Sequence, residues 1–310
     1  MITLETSAPR PAEPSAPLTR LGVGVLYNPA LPDFLRSDLD ALDYLEVIPE
    51  MFWTDRGLGG GEGADRFREI EATVEVLDLV AAERPVIAHS VGLSIGSADL
   101  FDRERIEQIA RWHARYRFPW HSDHLSFLRM GGPDGHEIHA GLAVQVPYDE
   151  EVLALIAGRI RAVQERVATP FLLENNVYYV DLPEQEMSEP EFLNRLTRET
   201  GCGLLLDVHN VYTNALNHGF DPHAFVDQLD LGTVVEVHVA GGNELAGMYT
   251  DSHAGPCPEP VWELLGRVVA GAPRLAGVTF EFHASYYPLL GPEGIRRQLD
   301  RAREVWAAAG

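Results

Sequence analysis

The sequence predicts an α/β fold, a (β/α)8 TIM barrel in a single domain. Three observations predict it: eight short apolar runs of buried-strand length, amphipathic stretches of helical period between them, and no composition break along 310 residues. The first run, Leu21 to Tyr27, is apolar apart from its glycines, and Tyr44 to Pro49 is the second. Gly57 to Gly63 contains no basic residue and reads as a loop rather than a phosphate cradle. Helical period then covers Ala64 to Glu83, followed by strand Pro85 to Val91, helix Asp102 to Tyr116 and strand Trp120 to Leu125. Gly131-Gly132 opens a second long loop reaching Pro147, suited to a lid or a docking surface. Next come helix Asp149 to Val167, strand Phe171 to Asn176, and helix Glu189 to Thr200, whose Glu189-Pro190 start suits proline in a first turn. Strands Gly203 to Asn210, Val234 to Gly241 and Gly277 to His283 complete the set, and Gly291 to Gly310 reads as one closing helix.

Residues 1–20, rich in Pro, Ala and Ser, read as a disordered N-terminal tail, which leaves 21–310 as the catalytic barrel domain. The tail lacks the basic start and apolar run of a signal peptide, and no apolar stretch reaches membrane-spanning length. A cytoplasmic location is therefore expected. Lys and Arg number 24 against 47 Asp and Glu, a formal charge of −23, so neither nucleic acid nor a membrane is an expected partner. Two cysteines, Cys202 and Cys257, support neither a disulfide framework nor a Cys-x-x-Cys site. No G-x-G-x-x-G follows the first strand and no P-loop motif occurs, which argues against dinucleotide and nucleotide-phosphate binding.

Metal-capable side chains gather at the ends of six successive strands. They are His89, then Asp123 and His124, then Glu174 and Asn175, then Asp207, His209 and Asn210, then Glu236 and His238, then Glu281 and His283. In this barrel type the C-terminal strand ends form the active face, so these groups meet at one mouth. Any one of them alone reads as a structural residue, but crowded buried carboxylates and imidazoles need a shared solution, and a cation is the simplest. Alternation puts Glu236 with His238, and Asp207 with His209, on common faces, and it leaves Asp123 and His124 unranked. Asp251 and His253, in the loop after the seventh strand, can reach the same ion. Imidazole with carboxylate and no thiolate suits iron, manganese or zinc, and the number of candidates calls for at least two ions, with Glu174 the natural bridge.

Longer stretches then acquire a meaning together. His89-Ser90-Val91-Gly92-Leu93-Ser94-Ile95-Gly96-Ser97, Ser122-Asp123-His124-Leu125, Leu172-Leu173-Glu174-Asn175, Leu206-Asp207-Val208-His209-Asn210-Val211-Tyr212, Asn217-His218-Gly219-Phe220-Asp221, His238-Val239-Ala240-Gly241 and Asp251-Ser252-His253 follow one another in barrel register. From about Gly22 to Leu290 the chain resembles the multinuclear non-haem iron-dependent oxidative enzymes, the group that includes the methanobactin-biosynthesis oxidase. The resemblance implies two or three irons in mixed Fe(II)/Fe(III) states and dioxygen-dependent oxidation of a side chain, often cysteine, in a ribosomally made precursor peptide. It places Glu174, Asp207, His238 and Glu281 on a first iron, His89, His124 and the bridging Glu174 on a second, and Asn210, Asp251 and His253 on a third. It favours His124 over Asp123 as the ligand and leaves Asp123 to orient an imidazole.

His209 and Tyr212 are then candidates for proton relay or ligand support, with a structural hydrogen bond an equal reading for Tyr212; His136 and His139 read as solvated. A separate partner protein that presents the peptide is expected by resemblance. Three departures lie near the mouth: His209 stands where the family usually has Asn, Gly242 where many members carry another His, and Asn28-Pro29 replaces the usual opening. They put the substrate in doubt more than the metal core. Two other classes stay in view, a divalent-metal isomerase or phosphoester hydrolase on the same barrel and a non-catalytic binding barrel. The chain has no lysine to stabilise an alkoxide, and its nearly complete ligand set argues against lost catalysis.

Overall fold

The computed structural model describes residues 18–58, 66–132, 137–183 and 185–309. In chain order the strands are β1 (Gly22–Leu26), β2 (Tyr44–Val47), β3 (Trp53–Asp55), β4 (Phe67–Glu69), β5 (Val86–Ser90), β6 (His121–His124) and β7 (Ser126–Gly131). They continue as β8 (Glu137–Gln145), β9 (Phe171–Glu174), β10 (Gly203–Asp207), β11 (Val234–Ala240), β12 (Asn243–Leu245), β13 (Met248–Thr250) and β14 (Gly277–Glu281). The helices are α1 (Pro32–Ser37), α2 (Glu71–Ala81), α3 (Arg103–Tyr116), α4 (Glu150–Arg166), α5 (Glu189–Thr200), α6 (Val208–His218), α7 (Pro222–Gln228), α8 (Glu259–Gly271) and α9 (Tyr287–Ala309). Eight of the strands close into one parallel barrel in the order β1-β14-β11-β10-β9-β6-β5-β2, as the apolar runs predict.

Helix starts follow local chemistry. Asp102, Asp149, Ser188 and Asp207 each accept a backbone N–H from the first turn of the helix they precede, relieving orphan donors there. The closing helix α9 is broken at Gly291, whose φ of 59° admits the turn before Pro292. Apolar strand faces pack outward against the helices, while Tyr44, Ile87, Trp120, Leu172, Leu205 and Val235 fill the barrel floor. Gly24 makes the floor possible: a Cβ there would lie 2.5 Å from the Tyr44 ring. Leu18 packs against this floor and Arg20 stacks on Trp306, whereas residues 1–17 of the predicted tail lie outside the described residues. Among the described residues no helix is long and apolar enough to cross a membrane.

Three antiparallel hairpins, β3–β4, β7–β8 and β12–β13, rise from loops that follow barrel strands and so ring the C-terminal face. Two of them correct the sequence reading. The helix expected from Ala64 starts only at Glu71, because Phe67 turns in against Trp53 and Arg66 is buried among Asp55, Asp102 and Glu104. The long loop expected from Gly131 to Pro147 is instead largely β8, paired with β7 and tied by Arg129 to Glu137 and Asp102. A third correction concerns the sixth barrel strand, expected to run to Asn210. It ends at Asp207, whose side chain caps α6, so His209 and Asn210 are helical and do not alternate with Asp207. Of the Gly57 to Gly63 loop, residues 59–63 lie outside the described residues, as does His136.

Candidate metal centre

Glu174, the last residue of β9, stands at the middle of the barrel mouth and is 2% exposed. Its Oε2 lies 3.3 Å from His89 Nε2 on β5 and 3.2 Å from His124 Nε2 on β6, and it has no hydrogen bond. On the other side His238 of β11 points Nδ1 at Glu281 Oε2 of β14 (3.3 Å) and at Glu174 Oε1 (3.8 Å). Glu174, Asp207 and His238 bring ligand atoms within 4.8 Å of one another, as do His89, His124 and Glu174. Glu174 belongs to both groups, the arrangement a bridging carboxylate needs.

Hydrogen bonding prepares these atoms as electron-pair donors. Ser122 Oγ is 2.9 Å from His89 Nδ1 and 3.5 Å from the Ala88 carbonyl. With the serine hydrogen spent on that carbonyl, Nδ1 carries the imidazole proton and Nε2 keeps its lone pair toward Glu174. Asn175 exchanges two hydrogen bonds with the Asp207 backbone (2.8 and 3.0 Å), and Asn210 Nδ2 donates to the Asn175 carbonyl, which leaves Asn210 Oδ1 buried without a partner.

A third group closes the centre from the loop after β13. His253 Nε2 is 3.0 Å from Asp251 Oδ1 and 3.6 Å from Glu281 Oε2, and His209 Nδ1 is 3.1 Å from the same Asp251 oxygen. His253 has a φ of 50°, a strained value for a side chain of its size.

Burial, then the Asp251 and Glu281 carboxylates, push Asp207 up to about 7, and burial also raises Glu174 well above the carboxylate range. Burial and the neighbouring imidazoles hold His89 well below its usual value, and burial takes His124 down to about 4, so both are neutral donors. Burial works against a proton on His253, but Asp251 and Glu281 outweigh it and raise that imidazole to about 10.

A cavity of about 350 Å³ stands over the cluster. Its polar floor is His89, His124, Glu174, Asp207, Asp251, His253 and Glu281, and its walls include Leu26, Tyr27, Pro29, Ile48, Met51, Val91 and Phe282. Asn28 forms part of the rim and is fixed by a bond to the Phe282 carbonyl (3.0 Å). Glu236, on the same face as His238, lies deeper, bonded to Trp120, Thr279 and Tyr44.

Other candidates fall elsewhere. Asp123 is buried and accepts from the Leu93 and His124 backbone N–H groups (3.0 and 2.7 Å), so it orders the strand end rather than an imidazole ring. Tyr212 packs edge-on against Tyr249 and is not part of the cavity wall. His283 is exposed and caps a short turn, and His139 is exposed on β8. The Gly242 departure has a steric reason, since a Cβ there would lie 2.4 Å from the Thr250 carbonyl, and the Tyr249 hydroxyl accepts from its N–H.

Glu46 is the group that strand-end reasoning misses. It lies inside β2, fully buried, with Oε2 2.9 Å from His238 Nε2. It also groups with His89 and His238. The signal was present: the parity of Tyr44-Leu45-Glu46 puts Glu46 on the same side as Tyr44, which fills the barrel interior.

The sequence profile of the family described as RiPP precursor modification enzyme MbnB/TglH/ChrH matches residues 20–291. The chain belongs to this family. Its members modify ribosomally made precursor peptides, and the multinuclear iron-dependent group anticipated from the motifs is the same family. A UPF0276 protein of Caulobacter vibrioides is 32% identical over 292 residues, covering 94% of this chain and 96% of its own length. The UPF0276 protein NMB2142 of Neisseria meningitidis serogroup B is 35% identical over 259 residues, 83% of this chain and 85% of its own. Solved structures share the fold. D-psicose 3-epimerase from Clostridium cellulolyticum aligns at a TM-score of 0.56 and 10% identity over 93% of this chain and 99% of its own. Endonuclease IV from Thermus thermophilus aligns at 0.54 and 17% identity over 93% and 100%. Family membership and these His, Asp and Glu clusters together identify a metal-dependent enzyme of precursor-peptide modification.

Proposed function

We propose that this family member holds two iron ions around Glu174 and a third under the Asp251–His253 arm, and oxidises a side chain of a precursor peptide with dioxygen. The observation that carries the reading is the position of Glu174, one carboxylate facing His89 and His124 on one side and His238 on the other, beneath a cavity large enough for a side chain. Glu174, Asp207, His238 and Glu281 would hold the first ion, His89, His124 and Glu174 the second, and Asn210, Asp251 and His253 the third. The orphaned, buried Glu174 Oε2, His238 Nδ1 and Asn210 Oδ1 fit that use. Iron in mixed Fe(II)/Fe(III) states supplies activation of dioxygen and oxidation of the bound side chain.

The chain's own contribution is placement and exclusion. Ser122 and Asn175 fix the donor atoms, apolar walls keep water from the peptide, and His209, bonded to Asp251, is the nearest group able to pass a proton to that arm. The polar floor of the cavity is made of the residues that would hold the metals, which would supply the positive charge for an anionic substrate group. A separate protein that presents the peptide, and a reducing cytoplasm consistent with buried, unpaired Cys202 and Cys257, complete the reading.

The test is anaerobic purification, elemental analysis, and Mössbauer spectra before and after dioxygen. Two or more irons per chain with a mixed-valence signal that dioxygen alters is the expected result. Zinc or manganese with no response to dioxygen overturns the oxidative reading and favours hydrolysis or isomerisation.

A further inference from the structure

We propose that Asn217 and His218, adjacent at the end of α6, are positioning residues that hold the Asp251–His253 arm over the metal centre. The inference rests on the reading of Asp251 and His253 as metal ligands. Neither side chain bonds to the carbonyls of its own helix, whose end is closed by Gly219 in the left-handed region (φ 75°) with its N–H on the Ala215 carbonyl. Both are committed to other segments, and both routes end on Asp251.

The first route runs through Tyr249. Asn217 Nδ2 donates to the Tyr249 carbonyl (2.8 Å), and Tyr249 N–H donates to Asn217 Oδ1 (2.9 Å). One amide thus satisfies both backbone groups of the middle residue of β13, as a neighbouring strand would. The β12–β13 ribbon has two strands of three residues each and is marginal without such a partner. Asp251 follows Tyr249 by two residues.

The second route runs through the loop after β9. His218 Nε2 is 3.0 Å from the Tyr178 carbonyl, His218 Nδ1 is 2.9 Å from Asp181, and the ring lies 4.5 Å from the Tyr178 ring. The next residue, Tyr179, accepts the Asp251 N–H on its hydroxyl at 3.1 Å. Beyond Asp251 the arm is tied by Ala254 N–H to the Gly241 carbonyl (2.6 Å) and by His283 N–H to the His253 carbonyl (3.0 Å). A positive φ at His253 is disfavoured and persists only where the surroundings over-determine it. These restraints, applied from α6 on one side and from the barrel on the other, are that surrounding.

The experiment titrates metal-free full-length chain with Fe(II) under anaerobic conditions, reading iron bound per chain and the Mössbauer components. The variants are Asp251→Ala, Asn217→Ala and Tyr179→Phe. Asp251→Ala and Asn217→Ala are expected to lose the same iron component while the components of the irons around Glu174 keep their spectra, a selective loss that general destabilisation would not give. Tyr179→Phe removes one hydroxyl and is expected to weaken that component about 10-fold, the scale of a group that orients a ligand. Wild-type affinity in Asn217→Ala, with the component lost in Asp251→Ala, overturns the inference and leaves the ligand reading standing. Wild-type binding in Asp251→Ala overturns the ligand reading and the inference with it. If Asn217→Ala does not fold, Tyr179→Phe decides, and unchanged affinity there overturns the positioning role.

Discussion

Glu46→Ala is expected to weaken metal binding without unfolding the chain. Glu46 Oε2 sits 2.9 Å from His238 Nε2 with both residues fully buried, while His238 Nδ1 faces Glu281 at 3.3 Å and Glu174 at 3.8 Å. The Glu46 contact therefore sets which nitrogen turns to the metals. Partners of this kind are worth about 10–100-fold in metal affinity, or about 1.4–2.7 kcal/mol. The upper end is expected for alanine, which leaves the fully buried His238 Nε2 without the carboxylate beside it. Glu46→Gln keeps the side-chain length and an acceptor oxygen, and its loss is expected to stay under about 10-fold. Stability moves the same way. Against the cost of burial, Glu281 and Glu46 hold the proton on His238 in the metal-free protein, while Glu236, raised to about 8 chiefly by burial, is largely neutral at pH 7 and gives Glu46 little to repel. The Tm of metal-free Glu46→Gln is expected to be lower than that of the parent. Anaerobic competition for Fe(II) against a chelator, with thermal melts alongside, measures both quantities. Parent-like affinity in Glu46→Ala refutes the orienting role, and an equal loss in both variants shows that the carboxylate is itself a ligand.

Arg66→Ala removes one buried cation from a network in which Asp55 keeps Arg105 and Asp102 keeps Arg129, and is expected to cost about 2–3 kcal/mol in urea unfolding; a loss under about 1 kcal/mol would place the network at the surface in solution. His121, pushed down to about 3 by burial and then by His113, takes up its proton only in the unfolded chain between pH 6.5 and 3, so stability falls as pH drops through that window. His121→Phe is expected to remove that loss, about 2.7 kcal/mol by pH 4.5, and parallel stability–pH curves for the two proteins would contradict it. In the metal-free protein at pH 7 His253, raised to about 10, carries a proton, so loading Fe(II) is expected to release about one proton or more per chain and affinity to rise from pH 6 to 8. Calorimetry in buffers of different ionisation enthalpy reads this, and pH-independent affinity counts against the assignment. Tyr212→Phe, away from the cavity wall, is expected to leave iron binding unchanged, and any loss of an iron component would restore it to the centre.

What is legible in the sequence follows the distance over which a physical rule acts. Strand periodicity is local, so the barrel and the strand ends that carry His89, His124, Glu174, Asp207, His238 and Glu281 are legible, while the choice of His124 over Asp123 came from the family resemblance. Glu46 obeys the same alternation, but a lone acid inside a short apolar strand carries no sign that its neighbour across the barrel is an imidazole; that pairing comes from closure, which sets β2 and β11 face to face although they do not pair. Asp207 shows a local rule misapplied: strand parity gave it a shared face with His209, yet an aspartate followed by a helix-compatible run is also an N-cap, and the cap prevailed because it satisfies the Asn210 N–H at 2.8 Å. The hairpins were hidden for a related reason. Phe67 and Trp53 read as helix and loop residues until Arg66 is seen to need the carboxylates of Asp55, Asp102 and Glu104, a requirement that spans three segments. Asn217 and His218 are the limiting case. Their positions at the end of a helix predict solvent exposure, and only the register of β13 and the loop of Tyr178 shows these two polar side chains tied to the segments that flank and touch Asp251.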